Sequence, residues 1–347
     1  MRAGVLLVLA TLLAACGPTA SQLPSPSPSQ AASPIAATPS PAVVTCPAAL
    51  PTPPTSAGPR PSPRYAFGFA YDVGHHEAVL FGRVAPAGNA FDTWTWDGTT
   101  WTQLHPARSP GGDLVLAYDA RRQQVVGFGG VSTWTWDGTV WSQAHPAHNP
   151  PSRGQEALVW DSKRERVLMI GGIAGANSFR SDVWAWDGRD WQRLAGDQYS
   201  DQNTAAYFPN DDTVVVYPAP GRPTQMTIFD GSSWSQRPAG TTELPQDGVI
   251  SYDEALGTLV MFGEHPNPPD GYTGRTPATW TWDGNLWRQV DFGGGPLCMT
   301  GGYQVVYDSA RQRLVLFGGD REVQFHGAFE MTNELWEFDG RRWTQIQ

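Results

Sequence analysis

The pattern Asp-Gly-x-x-Trp occurs six times in this chain, and its spacing constrains the fold more than any other feature. The copies are Asp97 to Trp101, Asp137 to Trp141, Asp187 to Trp191, Asp230 to Trp234, Asp283 to Trp287 and Asp339 to Trp343. Successive copies lie 40 to 56 residues apart, a period that suits one four-stranded propeller blade and is too long for helical hairpin repeats. We therefore predict an all-β protein, a six-bladed β-propeller of four-stranded antiparallel blades.

Each repeat also contains signals for its individual strands. An aromatic residue is followed eight positions later by an aliphatic one, as in Tyr118 and Val126, which predicts a hairpin of fixed length. The alternation in Thr93-Trp94-Thr95-Trp96 predicts a half-buried third strand. In the Asp-Gly turn we expect glycine to supply a positive φ and aspartate to tolerate left-handed backbone. The tryptophans are expected to pack between neighbouring blades.

The N-terminal segment differs from the repeats. An apolar run from Val5 to Leu13, followed by Ala14, Ala15 and Cys16, resembles a bacterial lipoprotein signal, in which the cysteine becomes lipidated. The run is shorter than the roughly 20 residues that a membrane-spanning helix needs. The resemblance implies a protein of the cell envelope, lipid-anchored to the outer side of the cytoplasmic membrane or to the cell surface, with the lipid as its only membrane contact.

The composition then divides the chain into an anchor, a tether and a repeat domain. Pro, Ser, Ala and Thr dominate the stretch before the repeats, and such a composition cannot bury a core. We expect a signal peptide over 1–15, a lipidated and disordered tether over 16–62, and the propeller over 63–347. The expected blades are 63–106, 107–148, 149–196, 197–240, 241–292 and 293–347.

Charge and cysteine content narrow the possible partners. The formal net charge of −10 argues against nucleic acid or an anionic membrane as a partner. The chain has three cysteines, so Cys46 and Cys298 remain once Cys16 carries the lipid. Two remaining thiols outside the cytoplasm predict a disulfide, with two unpaired cysteines as the alternative. Their spacing does not resemble a metal site.

The glycine pairs that end the second strand, as in Gly129-Gly130, and the tryptophan that opens the fourth strand resemble kelch repeats. The likeness covers most of the chain and extends to the kelch-like domain of galactose oxidase. It implies a carbohydrate-active enzyme as an alternative, with a copper centre to which His265, Tyr272, Cys298 and His326 would contribute. A glycosidase also stays open, because the separation of two carboxylates is a property of three dimensions.

Strand parity divides the connections between two faces. In an up-and-down blade, the 1–2 and 3–4 turns share one face, and the 2–3 loops share the other with the links between blades. The turns keep one length, whereas the distance across the 2–3 loop runs from 6 residues (Phe128 to Trp134) to 19 (Phe317 to Trp336). Because loops on a rigid scaffold usually carry binding residues, we predict the site on the variable face. The two longest loops, 264–279 and 320–335, offer as candidates Glu264, His265, Asp270, Tyr272, Arg275, Asp320, Arg321, Glu322, His326 and Glu330.

Three functions fit these observations. The sequence contains no His-x-x-x-His pair, catalytic serine motif or phosphate-binding glycine loop, so no catalytic residue is assigned. We therefore expect a monomeric, non-catalytic binding module for an extracellular protein or glycan, without cofactor, metal or nucleic acid. The alternatives are an extracellular carbohydrate-active enzyme of the galactose-oxidase or glycosidase type, and a structural assembly protein of the envelope.

Overall fold

The computed structural model describes residues 58–84, 90–175, 178–195, 204–216, 225–240, 246–264, 277–290, 295–296, 299–324 and 328–347. These residues form only strands, turns and irregular segments. No helix among them is long and apolar enough to cross a bilayer. The signal, the tether, Cys16, Cys46 and Cys298 lie outside the described residues, so the predictions for them stay predictions.

Six antiparallel four-stranded sheets form the blades of a propeller, as the repeat predicts. Blades one to three comprise β1 (Phe67–Asp72), β2 (Glu77–Arg83), β3 (Phe91–Trp96) and β4 (Trp101–Leu104); β5 (Val115–Asp119), β6 (Gln124–Gly129), β7 (Ser132–Trp136) and β8 (Trp141–Ala144); β9 (Ala157–Asp161), β10 (Arg166–Ile170), β11 (Val183–Trp186) and β12 (Trp191–Ala195). Blades four and five comprise β13 (Ala205–Phe208), β14 (Thr213–Val216), β15 (Gln225–Phe229) and β16 (Trp234–Pro238); β17 (Gln246–Asp253), β18 (Thr258–Glu264), β19 (Pro277–Trp282) and β20 (Trp287–Val290).

The sixth blade differs from the others by an inserted sheet. Its own strands are β22 (Gln304–Asp308), β23 (Arg313–Phe317), β26 (Leu335–Phe338) and β27 (Trp343–Gln345). The segment 320–335, which the sequence analysis treats as a loop, contains the hairpin β24 (Asp320–Gln324) and β25 (Ala328–Met331). This hairpin pairs with β21 (Met299–Gly301) in a three-stranded sheet, so its backbone groups are hydrogen-bonded rather than looped into solvent.

The core lies between the blades, and the second strand of blade one shows why its sequence is continuously apolar. Ala78 and Leu80 face blade six and pack in one cluster with Phe317, whereas Val79 and Phe81 face blade two. Successive side chains of a strand point to opposite faces, so a strand held between two neighbours buries both sets. All four side chains are essentially inaccessible to solvent.

The turn face, formed by the 1–2 and 3–4 turns, is uniform. Every turn spans four residues, as in 73–76 and 97–100. In the Asp-Gly turns the glycine has a positive φ, for example 94° at Gly98. The expectation of a left-handed aspartate is wrong, because the positive φ lies at the first central residue, as in a type II′ turn. Asp97 instead uses Oδ1 to accept hydrogen bonds from the backbone N–H groups of Thr99 and Thr100, both at 2.7 Å.

Arginines on the turn face connect one blade to the next. Arg122 pairs with Asp119 in its own blade at 2.7 Å and donates to the carbonyl oxygen of Asp187 in the following blade. Arg311 repeats the arrangement from blade six to blade one, where Nη1 donates to the Gly98 carbonyl at 3.2 Å. Because each blade takes its four strands from one continuous stretch, such contacts close the ring without a shared strand.

The tryptophan of the repeat packs against the preceding blade, which confirms its predicted structural role. The indole N–H donates to a threonine hydroxyl of that blade in three copies: Trp141 to Thr93 at 3.0 Å, Trp191 to Thr133 at 2.8 Å and Trp343 to Thr279 at 3.0 Å. The position of that threonine is taken by Leu335 opposite Trp101 and by Val183 opposite Trp234. Within the described residues these two indole N–H groups have no hydrogen-bond partner.

Candidate ligand-binding site on the loop face

A cavity of about 1210 Å³ opens at the centre of the ring. Its walls include the residues at, or just before, the start of the first strand in every blade. These starts lie on the loop face, formed by the 2–3 loops and the interblade links. One lining residue from each blade in turn is Tyr65, Asp113, Glu156, Thr204, Gly248 and Gln304. The cavity therefore lies on the face that the sequence analysis selects for the site.

Glycines bring the backbones close together around this cavity. A Cβ atom at Gly129 would lie 2.0 Å from the carbonyl oxygen of Asp113, so only glycine allows this close approach of the two backbones. At Gly112, which also lines the cavity, a Cβ atom would meet nothing within 4 Å. The wall is thus tight at Gly129 and open at Gly112.

A buried arginine supports the wall of blade three. Arg153 donates from Nη1 to Asp182 Oδ1 at 2.5 Å and from Nη2 to Oδ2 at 3.0 Å. The Trp184 indole donates to the same carboxylate at 2.7 Å. Burial raises the pKa of Asp182, but the hydrogen bonds from Arg153 and Trp184 outweigh it and hold that pKa below its usual range. This pair is internally neutralised and positions the link that precedes β9.

Blade one repeats this support. Arg64 contacts Asp92 at 2.6 Å, and the Trp94 indole donates to the same carboxylate at 2.8 Å. In blade six a glutamate replaces the aspartate, and Trp336 donates to Glu334 at 2.8 Å. The repeated use of an acidic residue two positions before the tryptophan shows that these carboxylates belong to the scaffold of the loop face.

Glu156 differs from Asp92 and Asp182 and, like Glu334, has one carboxyl oxygen without a hydrogen-bond partner among the described residues. Its exposed fraction is 3%, it lines the cavity, and its Oε2 has no hydrogen-bond partner among the described residues. Burial raises the pKa of Glu156 to about 7, and the hydrogen bond from its own backbone N–H and the charge of Arg153 offset this only in part. The cavity therefore contains a carboxyl group that lacks a compensating partner.

Glu156 is not among the residues predicted for the site, although the sequence contains a signal for it. Four residues before the repeated aromatic residue of the first strand, three blades have a buried apolar or aromatic side chain: Phe67, Leu114 and Tyr303. Blade three has glutamate at this position. A buried carboxyl group at a position where three other blades place a core side chain is costly unless it has a partner, and alignment of the repeats on that aromatic residue identifies it.

Of the residues predicted for the site, the structure brings one to the cavity. Asp320 lines it, and burial raises the pKa of this carboxyl. Arg321, next in the hairpin, is buried, and Glu330, its partner across the ladder, is exposed. Glu264 ends β18 and Glu322 lies in β24, but their side chains are outside what the structure describes. His265, Asp270, Tyr272, Arg275 and His326 lie outside the described residues.

The rim of the cavity combines apolar and charged side chains. Tyr65 and Val131 are each 55% exposed, and Trp134, also in the lining, is half-buried. Arg83 and Asp113 form an ion pair at 3.2 Å, with each side chain nearly half exposed. An exposed pair of this kind adds little stability, because solvent screens the two charges.

The copper centre implied by the galactose-oxidase resemblance is not tested by these residues. His265, Tyr272, Cys298 and His326 all lie outside the described part of the chain. Within the described part, no group of three or more His, Cys, Asp or Glu side chains is arranged to hold a metal ion.

Comparison with solved structures supports the propeller fold. No protein-family model matches the sequence, and no curated protein matches it. The solved structure of YjhT is similar over 84% of this chain and 99% of its own, with a TM-score of 0.57 and 14% identity. A mutant of the Aleuria aurantia lectin AAL, in complex with Fucα1-6GlcNAc, is similar over 82% of this chain and 96% of its own, with a TM-score of 0.53 and 11% identity. At these identities the likeness shows the propeller fold alone.

Proposed function

We propose that this protein is a lipoprotein of the cell envelope whose kelch-like propeller binds an extracellular glycan, without catalysis, in the cavity of the loop face. The observation that carries the proposal is the cavity itself, to which all six blades contribute and into which Glu156 and Asp320 bring carboxyl groups. The opposite face consists of turns that all span four residues.

The chemistry of the lining favours a sugar ligand. A saccharide presents hydroxyl groups that donate to carboxyl oxygens, and C–H faces that stack on aromatic rings. The cavity supplies both, with Glu156 and Asp320 in the wall and with Tyr65 and Trp134 at the rim. Its volume accommodates more than one sugar ring. The saccharide complex of the Aleuria lectin, a protein of the same fold, supports this ligand class.

A pair of tryptophan substitutions tests the site. Gly112→Trp places a large ring where a Cβ atom has open space at the cavity wall, so it should block the cavity and leave the fold intact. Ala120→Trp is the matched control, because Ala120 is exposed in the 120–123 turn of the turn face. Binding of the purified protein to a panel of cell-wall and surface glycans would be measured for both variants and the parent.

We expect loss of binding for Gly112→Trp alone, with unchanged melting temperatures. If Ala120→Trp abolishes binding and Gly112→Trp does not, the choice of face is wrong. If the parent binds a protein on the cell surface and no glycan, the proposed ligand class is wrong.

Anchoring is a separate part of the proposal and has its own test. A Cys16→Ala variant should leave the membrane fraction, whereas the parent should sediment with it until detergent is added. Intact mass measurement before and after reduction would reveal a disulfide between Cys46 and Cys298. A thioether between Tyr272 and Cys298, which reduction leaves in place, would instead favour the enzyme alternative.

A further inference from the structure

We propose that the cavity selects glycans that carry a free primary amino group, and that Glu156 accepts a hydrogen bond from the ammonium group of such a sugar. This inference rests on the proposed function, since it names the ligand class of the same cavity. Glu156 is a buried carboxyl group whose Oε2 has no hydrogen-bond partner in the described part of the chain.

The position of Glu156 shows that the fold does not need a charge there. Its equivalents Phe67, Leu114 and Tyr303 are buried and contribute to the clusters between blades, so an apolar side chain suits the geometry of this position. Glu156 has the same burial with a polar end group. Burying such a group without a hydrogen bond costs free energy, and a ligand that supplies the bond recovers it.

Arg153, the cation whose charge acts on Glu156, is already engaged by other acceptors. Arg153 uses both terminal nitrogens on Asp182, and Nη1 also donates to the Gly171 carbonyl at 2.9 Å. Its Nε donates to the Pro151 carbonyl at 3.1 Å. Arg153 therefore acts on Glu156 only through its positive charge, which does not bring the pKa of Glu156 back to its usual value.

The charge around the cavity favours a cation over an anion. Arg83 is paired with Asp113 and Arg153 with Asp182, so the two cationic side chains of the wall are already matched. Asp320 adds a further carboxyl group, and the chain as a whole has a formal net charge of −10. This field attracts cations and repels acidic sugars. A primary ammonium group is compact and has three donors, which suits a wall with carboxyl groups on several blades.

The test compares two oligosaccharides of equal length that differ only at nitrogen. Calorimetric titration of the purified protein with a fully deacetylated glucosamine oligomer and with its fully N-acetylated counterpart would be done near neutral pH. We expect the free amine to bind about tenfold to a hundredfold more tightly, the range for a hydrogen bond to a charged group. Glu156→Gln should remove this preference, whereas Glu254→Gln, at an exposed position of the turn face, should retain it.

The variant also has a readout that a merely structural role would not give. Because the glutamine of Glu156→Gln has no charge to bury, the substitution should keep or raise the melting temperature while it lowers affinity for the amine. Equal binding of both oligomers, or an unchanged preference in Glu156→Gln, would overturn the inference and leave a glycan-binding propeller in place. Absence of binding to every glycan by the parent would overturn both proposals.

Discussion

The two faces of the propeller use their carboxyl groups in opposite ways. On the turn face, burial raises the pKa of Asp97, but hydrogen bonds from Thr99 and Thr100 outweigh it and lower that pKa to about 2. On the loop face, burial raises the pKa of Glu156 to about 7, and that of Asp320 also rises. Carboxylates of the Asp-Gly turns are thus stabilised by the backbone they hold, whereas burial is the dominant influence on the pKa of Glu156, Asp320 and Glu334 on the loop face.

Each face also has an exception with a local cause. Asp182 on the loop face has a lowered pKa because Arg153 and Trp184 donate to it against the effect of burial. Asp253 on the turn face has a raised pKa because of burial, and its turn has Leu256 where blades two, three and six have an arginine. A carboxyl group is therefore scaffold where an arginine or a turn completes it. Glu156, which has neither, is the best candidate for a ligand contact.

Among substitutions that test this difference between the faces, we expect the largest loss of stability at the buried Arg153–Asp182 pair of the loop face. Arg153→Met removes the partner of Asp182 and leaves a buried carboxylate, so we expect a loss of about 3 to 5 kcal/mol in the free energy of unfolding. Urea unfolding followed by tryptophan fluorescence would measure it. A loss below about 1 kcal/mol would mean that water reaches this pair and that it does not hold the wall.

Glu156→Gln should increase stability rather than decrease it, and the size of the increase should depend on pH. The folded pKa of Glu156 is raised from 4.5 to about 7, so the folded state binds more protons between these values and the parent loses stability as pH rises through that window. The loss is roughly 3 kcal/mol and is complete above pH 7. The variant should not show it. The free energy of unfolding of parent and variant should be measured across that pH window. Parallel curves of stability against pH would contradict an unpaired Glu156.

The contacts between blades allow a smaller, paired test. Thr133→Val leaves the buried Trp191 indole N–H without its acceptor, which should cost about 1 to 2 kcal/mol. Val183→Thr offers an acceptor to Trp234, whose indole N–H lacks one among the described residues, and should gain up to about 1 kcal/mol. The melting temperature should fall for Thr133→Val and rise for Val183→Thr. Shifts of the same sign would show that packing at this position outweighs the hydrogen bond.

The smallest effect is expected at the surface of the turn face. Arg121 pairs with Glu165 of the next blade, and both side chains are more than half exposed. Arg121→Gln should change the free energy of unfolding by less than about 0.5 kcal/mol, because solvent screens such a pair. A loss comparable to that of Arg153→Met would erase the distinction between buried and exposed pairs on the two faces.

The repeat predicted the parts of this fold that depend on local chemistry. Trp141, the Asp-Gly turn and the alternation of β3 all lie where their spacing placed them, and the constant length of the turns identified the variable face. The hairpin of β24 and β25 escaped prediction because the whole segment 320–335 was treated as a connecting loop, although Phe329 and Met331 alternate with Glu330 as in a strand. The cavity escaped it because six strand starts, far apart in sequence, meet only when the ring closes. Glu156 was missed because it lies in an interblade link and not in a long loop.

Hydrogen–deuterium exchange of the purified protein, with and without the glycan that binds most tightly, tests the central claim most directly. We predict slower exchange in 110–113, 129–132 and 153–156, at the wall of the loop-face cavity. We also predict no change in the turns 73–76, 120–123 and 162–165. Protection confined to those turns would contradict a binding site on the loop face.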